Sequence, residues 1–223
     1  MKIGLCGTMS VGKTTLVNAL KELPEFKDYH GIKHQQEKEH QDINMKIGFC
    51  GTMSVGKTTL VNALKELPEF KDYNFRTERS KYLMEMGIPL NTDSTFKGQI
   101  VFAAERAAEL MQENIITDRT IIDVMAFCEL SKSMSKAEKD HINGVLWHLI
   151  KEYDIIFHID DLSVPIEDNG VRETDKNYRL DIHQKISSIL GMYRYMPGKV
   201  VTISGTTEER IYKIKKSIDM YNI

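Results

Sequence analysis

The stretch Gly51-Thr-Met-Ser-Val-Gly56-Lys57-Thr58 matches the spacing GxxxxGK[ST] at every fixed position. Glycines at the two ends let the backbone adopt positive φ angles and turn its N–H groups inward, where they and the positive end of a following helix can hold phosphate oxygens. Lys57 can reach the β- and γ-phosphates, and the Thr58 hydroxyl is of the kind that ligates Mg²⁺. Gly51, Thr52, Met53, Ser54, Val55, Gly56, Lys57, Thr58 and Thr59 are therefore candidates for holding a nucleoside triphosphate. The pattern says little about what receives a phosphoryl group.

Such a loop needs a strand before it and a helix after it. MKIGFC, residues 45–50, is a short apolar run suited to a buried parallel strand, and TTLVNALKEL carries Leu60, Leu64 and Leu67 at helical spacing. Downstream, Asn74–Arg76 reads as a short strand, and a helix through Ser80 to Met86 stops at Gly87. A longer helix spans about Thr95 to Glu113, with Ile100, Ala104, Ala107 and Met111 on one face. Ile115-Ile116 leads into Asp118-Arg119, Tyr153–Ile159 is another apolar strand, and Lys199–Ile203 is the last before a C-terminal helix. Strands alternating with helices predict an α/β domain with a parallel, doubly wound sheet whose site lies at the strands' C-terminal ends.

The chain has 223 residues, 41% hydrophobic and 28% charged, with a formal net charge of −2. That balance gives no overall basic field toward nucleic acid or an anionic membrane, so a small anion must be held by local groups. Cys6, Cys50 and Cys128 form no CxxC pattern, and no run of about 18 apolar residues occurs. Neither a disulfide framework nor a membrane span is expected, and a cytoplasmic location is.

Met1–Tyr29 returns as Met45–Tyr73, identical except for Leu5 against Phe49. Two near-identical copies point to a recent tandem duplication, or to a rearrangement in a recombined gene, rather than to a solenoid. Between them, residues 30–44 are polar and rich in Gln, Glu and His, which is linker composition. His30 and His34 stand four apart, but nothing nearby completes a metal site. The second copy runs directly into the rest of a domain. For the first to take its place, the intervening residues would have to loop out, at a closure cost of roughly 3 kcal/mol. We expect residues 1–44 to be a duplicated segment plus linker, residues 45–223 to be the working domain, and the extra copy to offer a route to a homodimer or domain swap.

Charged groups recur at the expected strand ends: Thr77-Glu78-Arg79, Asp118-Arg119-Thr120, Val171-Arg172-Glu173 with Arg179, and Ser204-Gly205-Thr206 with Glu209-Arg210. With the phosphate loop, they make Met45–Ile223 resemble the P-loop kinases of nucleosides and nucleotides. The likeness is to ribosylnicotinamide-kinase-like ATPases of the AAA family (the NadR kinase-domain type) and, more distantly, to thymidylate kinases. Only the phosphate loop is specific by itself. The resemblance implies a P-loop kinase fold, a parallel five-stranded sheet with helices on both faces and a mobile lid.

Asp118 falls beside the phosphate loop, where a carboxylate can hold Mg²⁺ through water or accept the proton of an attacking hydroxyl. Capping the next helix is its alternative role. In the resembling kinases, Arg119 would bind acceptor or transferring phosphate, Arg172 and Arg179 would close over the phosphates from the lid, and Glu78 and Arg79 would contact the acceptor. Ser204, Gly205 and Thr206 would cradle adenine. Surface ion pairs, a solvated loop and an N-cap by Thr206 compete with these roles. Asp123, one turn beyond Arg119, is open between holding that arginine and acting directly. His158 reads as a satisfied core histidine, and Cys128 and the face around Trp147 read as packing.

The expected reaction is ATP- and Mg²⁺-dependent phosphoryl transfer to a nucleoside or nucleoside monophosphate, with ribosylnicotinamide or a deoxynucleotide as candidates. Lys57, Asp118, Arg119, Arg172 and Arg179 carry it, with Thr58 and Asp118 at the metal. The alternative is a nucleotide-binding ATPase or GTPase switch without a small-molecule acceptor. Against a GTPase stands the absence of an NKxD motif.

Overall fold

The computed structural model describes residues 44–77, 79–166, 174–193 and 199–221. All of them belong to the unit Ile43–Ile223. Glu78, Arg172 and the first copy of the repeat lie outside the described residues, as does much of the expected lid.

Five parallel strands form one sheet: β1 (Lys46–Cys50), β2 (Asn74–Arg76), β3 (Ile115–Asp118), β4 (Ile155–Ile159) and β5 (Lys199–Ile203), in the order β2-β3-β1-β4-β5. The strand before the phosphate loop is thus central, between β3 and β4, and the chain reverses its direction of sheet growth there. In open α/β sheets, ligands bind at that switch point. Seven helices accompany the strands among the described residues: α1 (Lys57–Lys65), α2 (Ser80–Glu85), α3 (Phe96–Leu110), α4 (Ile121–Leu130), α5 (Lys136–Leu149), α6 (Lys176–Tyr193) and α7 (Thr207–Tyr221).

Because the sheet is covered on both faces, its strands are apolar on both. Ile47 and Phe49 of β1 and Ile155, Phe157 and Ile159 of β4 pack with Leu60, Val61 and Leu64 of α1 and Ile214 of α7. Cys50 and Ile156 face the other way, into a core built with α4, α5 and α6. Phe49 and Phe157, both fully buried, stack with ring centroids 5.3 Å apart. Cys128 packs in the second core as expected, and burial pushes its thiol up to about 12.

The orientation of α3 does not follow its apolar spacing, and the reading of His158 as a satisfied core histidine needs correction. The face of α3 carrying Ile100 and Met111 is the outer one, those residues being 42% and 84% exposed, while Gln99, Ala103, Arg106 and Leu110 point inward. Gln99 and Arg106 lie on this inner face where it walls a cavity. His158 is buried, but among the described residues its Nε2 has no hydrogen-bond partner. Its ring stacks at 6.0 Å on that of His183, and burial lowers its pKa.

Candidate active site

The phosphate loop closes tightly between β1 and α1. Gly51 has φ 151°, and a Cβ there would lie 2.8 Å from the Ile159 carbonyl. Gly56, at φ 81°, supplies the left-handed turn into α1. α1 begins with no side-chain cap and no acidic residue in its first turn. Its first N–H groups and the positive end of its dipole are thus left to an external anion. By contrast, α4 and α5 close their own N-termini with capping boxes, Thr120 with Asp123 and Ser135 with Glu138.

Lys57 is buried and donates from Nζ to the carbonyls of Gly51 and Thr52, at 2.5 and 2.7 Å. Burial and, next, the Arg119 charge depress its pKa to about 8, while Asp123 and Asp118 oppose the shift. The Thr58 hydroxyl donates to Asp118 Oδ2 at 2.5 Å. Asp118 ends β3, fully buried, and the cap of α4 comes from Thr120 instead, which leaves the Asp118 carboxylate facing the loop. A divalent cation fits this pair: a hydroxyl oxygen and a carboxylate oxygen are already at contact distance beside the loop, the hard-oxygen donor set that Mg²⁺ prefers.

Met53 through Thr59 line a cavity of about 570 Å³ together with Asp118, Arg119 and Val164. Gly51 and Thr52 are buried behind it, and the Thr52 hydroxyl donates to the Arg179 carbonyl at 3.0 Å. A second cavity of about 780 Å³ is walled by α3 and α4, with Gln99, Phe102, Glu105, Arg106, Val124 and Phe127, and also by Arg79. Met53 and Arg119 line both.

Arg119 carries a φ of 106°. A non-glycine residue there is strained by roughly 1–3 kcal/mol and persists only where its surroundings over-determine it. Its N–H donates to the Phe49 carbonyl at 3.0 Å, its own carbonyl accepts from Arg106 at 3.5 Å, and its guanidinium lies 5.2 Å from the centre of the Phe127 ring. Arg106 is itself buried and paired with Glu109 at 2.8 Å. Neither Arg106 nor Glu109 is marked by any motif.

Arg79 opens α2, pairs with Glu105 at 3.2 Å and sits 4.6 Å from the Tyr82 ring centre. Arg179 is buried beside the phosphate loop, donating to the carbonyls of Val164 at 2.8 Å and Ser54 at 3.5 Å. Asp123 accepts from the Gly51 N–H at 3.3 Å and from the Thr120 N–H and hydroxyl, which fixes the entry of the loop. Ser204, Gly205 and Thr206 are exposed after β5, and neither cavity includes them. Thr206 caps α7, its N–H donating to Glu209 at 2.8 Å while its hydroxyl accepts from the Glu209 N–H.

The family described as AAA domain matches residues 46–210 of the chain. No curated protein matches it. Among solved structures, deoxyadenosine kinase from M. mycoides is similar at 17% identity, covering 79% of this chain and 99% of its own, with a TM-score of 0.58. NadR in complex with NR is similar at 16% identity and a TM-score of 0.61, covering 81% of this chain and 52% of that one. Thymidylate kinase from Candida albicans is similar at 16% identity and a TM-score of 0.60, covering 80% and 92%. At such identities the likeness is one of fold, and the strand order and phosphate loop agree with it. Among the described residues, no helix is long and apolar enough to cross a membrane.

Proposed function

The chain belongs to the AAA-domain family, and on that premise we propose that it is a kinase moving the γ-phosphoryl group of ATP to a nucleoside or nucleoside monophosphate. The observation that carries this reading is the pair of cavities meeting at Arg119 and Met53. One has the phosphate loop as its wall. The other mixes aromatic and polar side chains, as a pocket for a flat, hydrogen-bonding ring needs.

In this reading the loop N–H groups and Lys57 hold the triphosphate. Thr58 and Asp118 would hold Mg²⁺, and the ion would supply charge neutralisation at the phosphate oxygens. Arg119, fixed in a strained backbone at the junction, faces the group in transfer, and Asp118 takes the acceptor's proton. Arg79 borders the acceptor, and the resemblance assigns Glu78, outside the described residues, to the same ligand. Arg179, already against the loop, covers the phosphates, the resemblance assigns Arg172, outside the described residues, to the same task, and Ser204, Gly205 and Thr206 border the adenine. Catalysis is then positioning and charge neutralisation, with water kept out so that transfer beats hydrolysis.

Ribosylnicotinamide and deoxynucleotides are the candidate acceptors; the similar structures are named with NR bound to NadR and with dCMP and dCDP as products of the deoxyadenosine kinase. A cytoplasmic location, where ATP is plentiful, goes with this reading. The test is ADP production by the full chain with Mg²⁺ and ATP, with and without each acceptor. A tenfold or greater rise with one of them supports a kinase. An unchanged rate with all of them points to the switch.

A further inference from the structure

Arg210 has no place in the phosphate-loop pattern, yet it is 5% exposed and each of its guanidinium nitrogens is engaged. Nε donates to the Gly205 carbonyl at 2.8 Å, Nη1 to the Val55 carbonyl at 2.7 Å and Nη2 to Asp161 Oδ2 at 2.7 Å. Asp161 is held in turn. Its Oδ1 accepts from the Ser163 hydroxyl at 2.5 Å and the Ser163 N–H at 3.2 Å, and its Oδ2 accepts from the Gly205 N–H at 3.4 Å. A guanidinium is a rigid planar fork, so three acceptors at once fix their mutual arrangement.

The Val55 carbonyl shares a planar trans peptide with the Gly56 N–H, and the two point in opposite directions. Holding the carbonyl on Arg210 therefore directs the N–H away from Arg210, toward the cavity that Gly56 lines. The contact is close, since a Cβ on Gly56 would come within 3.2 Å of Nη1. Because Asp161 offsets the Arg210 charge, the pair acts on the phosphates by orientation rather than by field.

We propose that Arg210, held by Asp161, is a positioning residue for nucleotide: it sets the Val55–Gly56 peptide so that the Gly56 N–H faces a bound phosphate, and ties that peptide to the turns at Asp161–Ser163 and Gly205. The inference rests on the nucleotide reading of the loop.

The test is calorimetric binding of ADP and of inorganic pyrophosphate to the full chain, beside the melting temperature without ligand, for wild type, R210M, R210K and D161N. R210M is expected to bind both probes about 10-fold more weakly, as loss of a charged hydrogen bond implies. R210K should be weakened too, because the three N–H groups of an ammonium share one nitrogen and cannot reach acceptors set apart around a planar guanidinium fork. D161N, which leaves Arg210 on Val55 and Gly205, should lose about 3-fold while melting within a few degrees of wild type. Binding of both probes within twofold of wild type by R210M and D161N overturns the proposal, as does loss of ADP binding with pyrophosphate unaffected, which would move the role to the adenine side. If R210M does not fold, D161N decides by the same thresholds. If wild type itself binds neither probe, the nucleotide reading has failed and the brace falls with it.

Discussion

The Thr58 hydroxyl donates a 2.5 Å hydrogen bond to Asp118 Oδ2, joining the first turn of α1 to the end of β3. The two residues lie 60 positions apart and meet because β1 and β3 are neighbours in the sheet. In the proposed kinase, these two residues would hold the cation, or Asp118 would take the proton of the acceptor hydroxyl.

Asp118→Asn keeps the shape and one acceptor oxygen but removes the charge. Phosphoryl transfer is expected to fall at least 100-fold, on the scale of a lost general base. ADP binding measured without Mg²⁺ should stay within a few-fold of wild type. Transfer within tenfold of wild type would remove Asp118 from the chemistry.

The depressed pKa of Lys57, about 8 in place of 10.5, makes nucleotide binding pH-dependent. A triphosphate or diphosphate beside Nζ favours the charged ammonium and raises that pKa. At pH 8.5, ADP binding should take up a proton, seen as a dependence of the binding enthalpy on buffer ionisation, and at pH 6.5 Lys57 should contribute none. The same shift bears on folding. Between about pH 8 and 10.5 the unfolded chain holds this proton and the folded chain does not, so Lys57 adds stability as pH rises through that window and loses it as pH falls. Equal buffer dependence at pH 8.5 in wild type and Lys57→Met would contradict the assignment.

Leu5 against Phe49, the single difference between the repeated segments, falls on the Phe49–Phe157 stack. Phe49→Leu should cost about 1–2 kcal/mol through the lost ring contact and the space left behind. Urea unfolding of residues 45–223 with and without the substitution measures it. The value is the packing share of the preference for the second copy, on top of the loop-closure cost. A midpoint unchanged by Phe49→Leu would remove packing as the basis of that preference.

The phosphate loop was legible in the sequence because its glycines, lysine and threonine sit at fixed local spacing, and the strands were legible as apolar runs between charged ends. The inner face of α3 was not. Apolar periodicity points to Ile100 and Met111, whereas Gln99 and Arg106 face inward because a cavity there takes polar groups. Asp123 invites pairing with Arg119 by helical spacing but spends its carboxylate on Thr120 and the Gly51 N–H, a contact 72 residues away. The bonds from Arg179 and Arg210 to the loop span 125 and 155 residues. Nothing local announces such contacts, since they follow from how the helices after β4 and β5 return to the switch point.

The most direct test of the central claim is transfer of labelled γ-phosphate from ATP to a panel of nucleosides, deoxynucleoside monophosphates and ribosylnicotinamide, using the full chain, Lys57→Ala and Lys13→Ala. The account predicts labelled product with at least one acceptor, its loss in Lys57→Ala and most of it kept in Lys13→Ala. Label released only as free phosphate with every acceptor, or a dead Lys13→Ala beside an active Lys57→Ala, would contradict it.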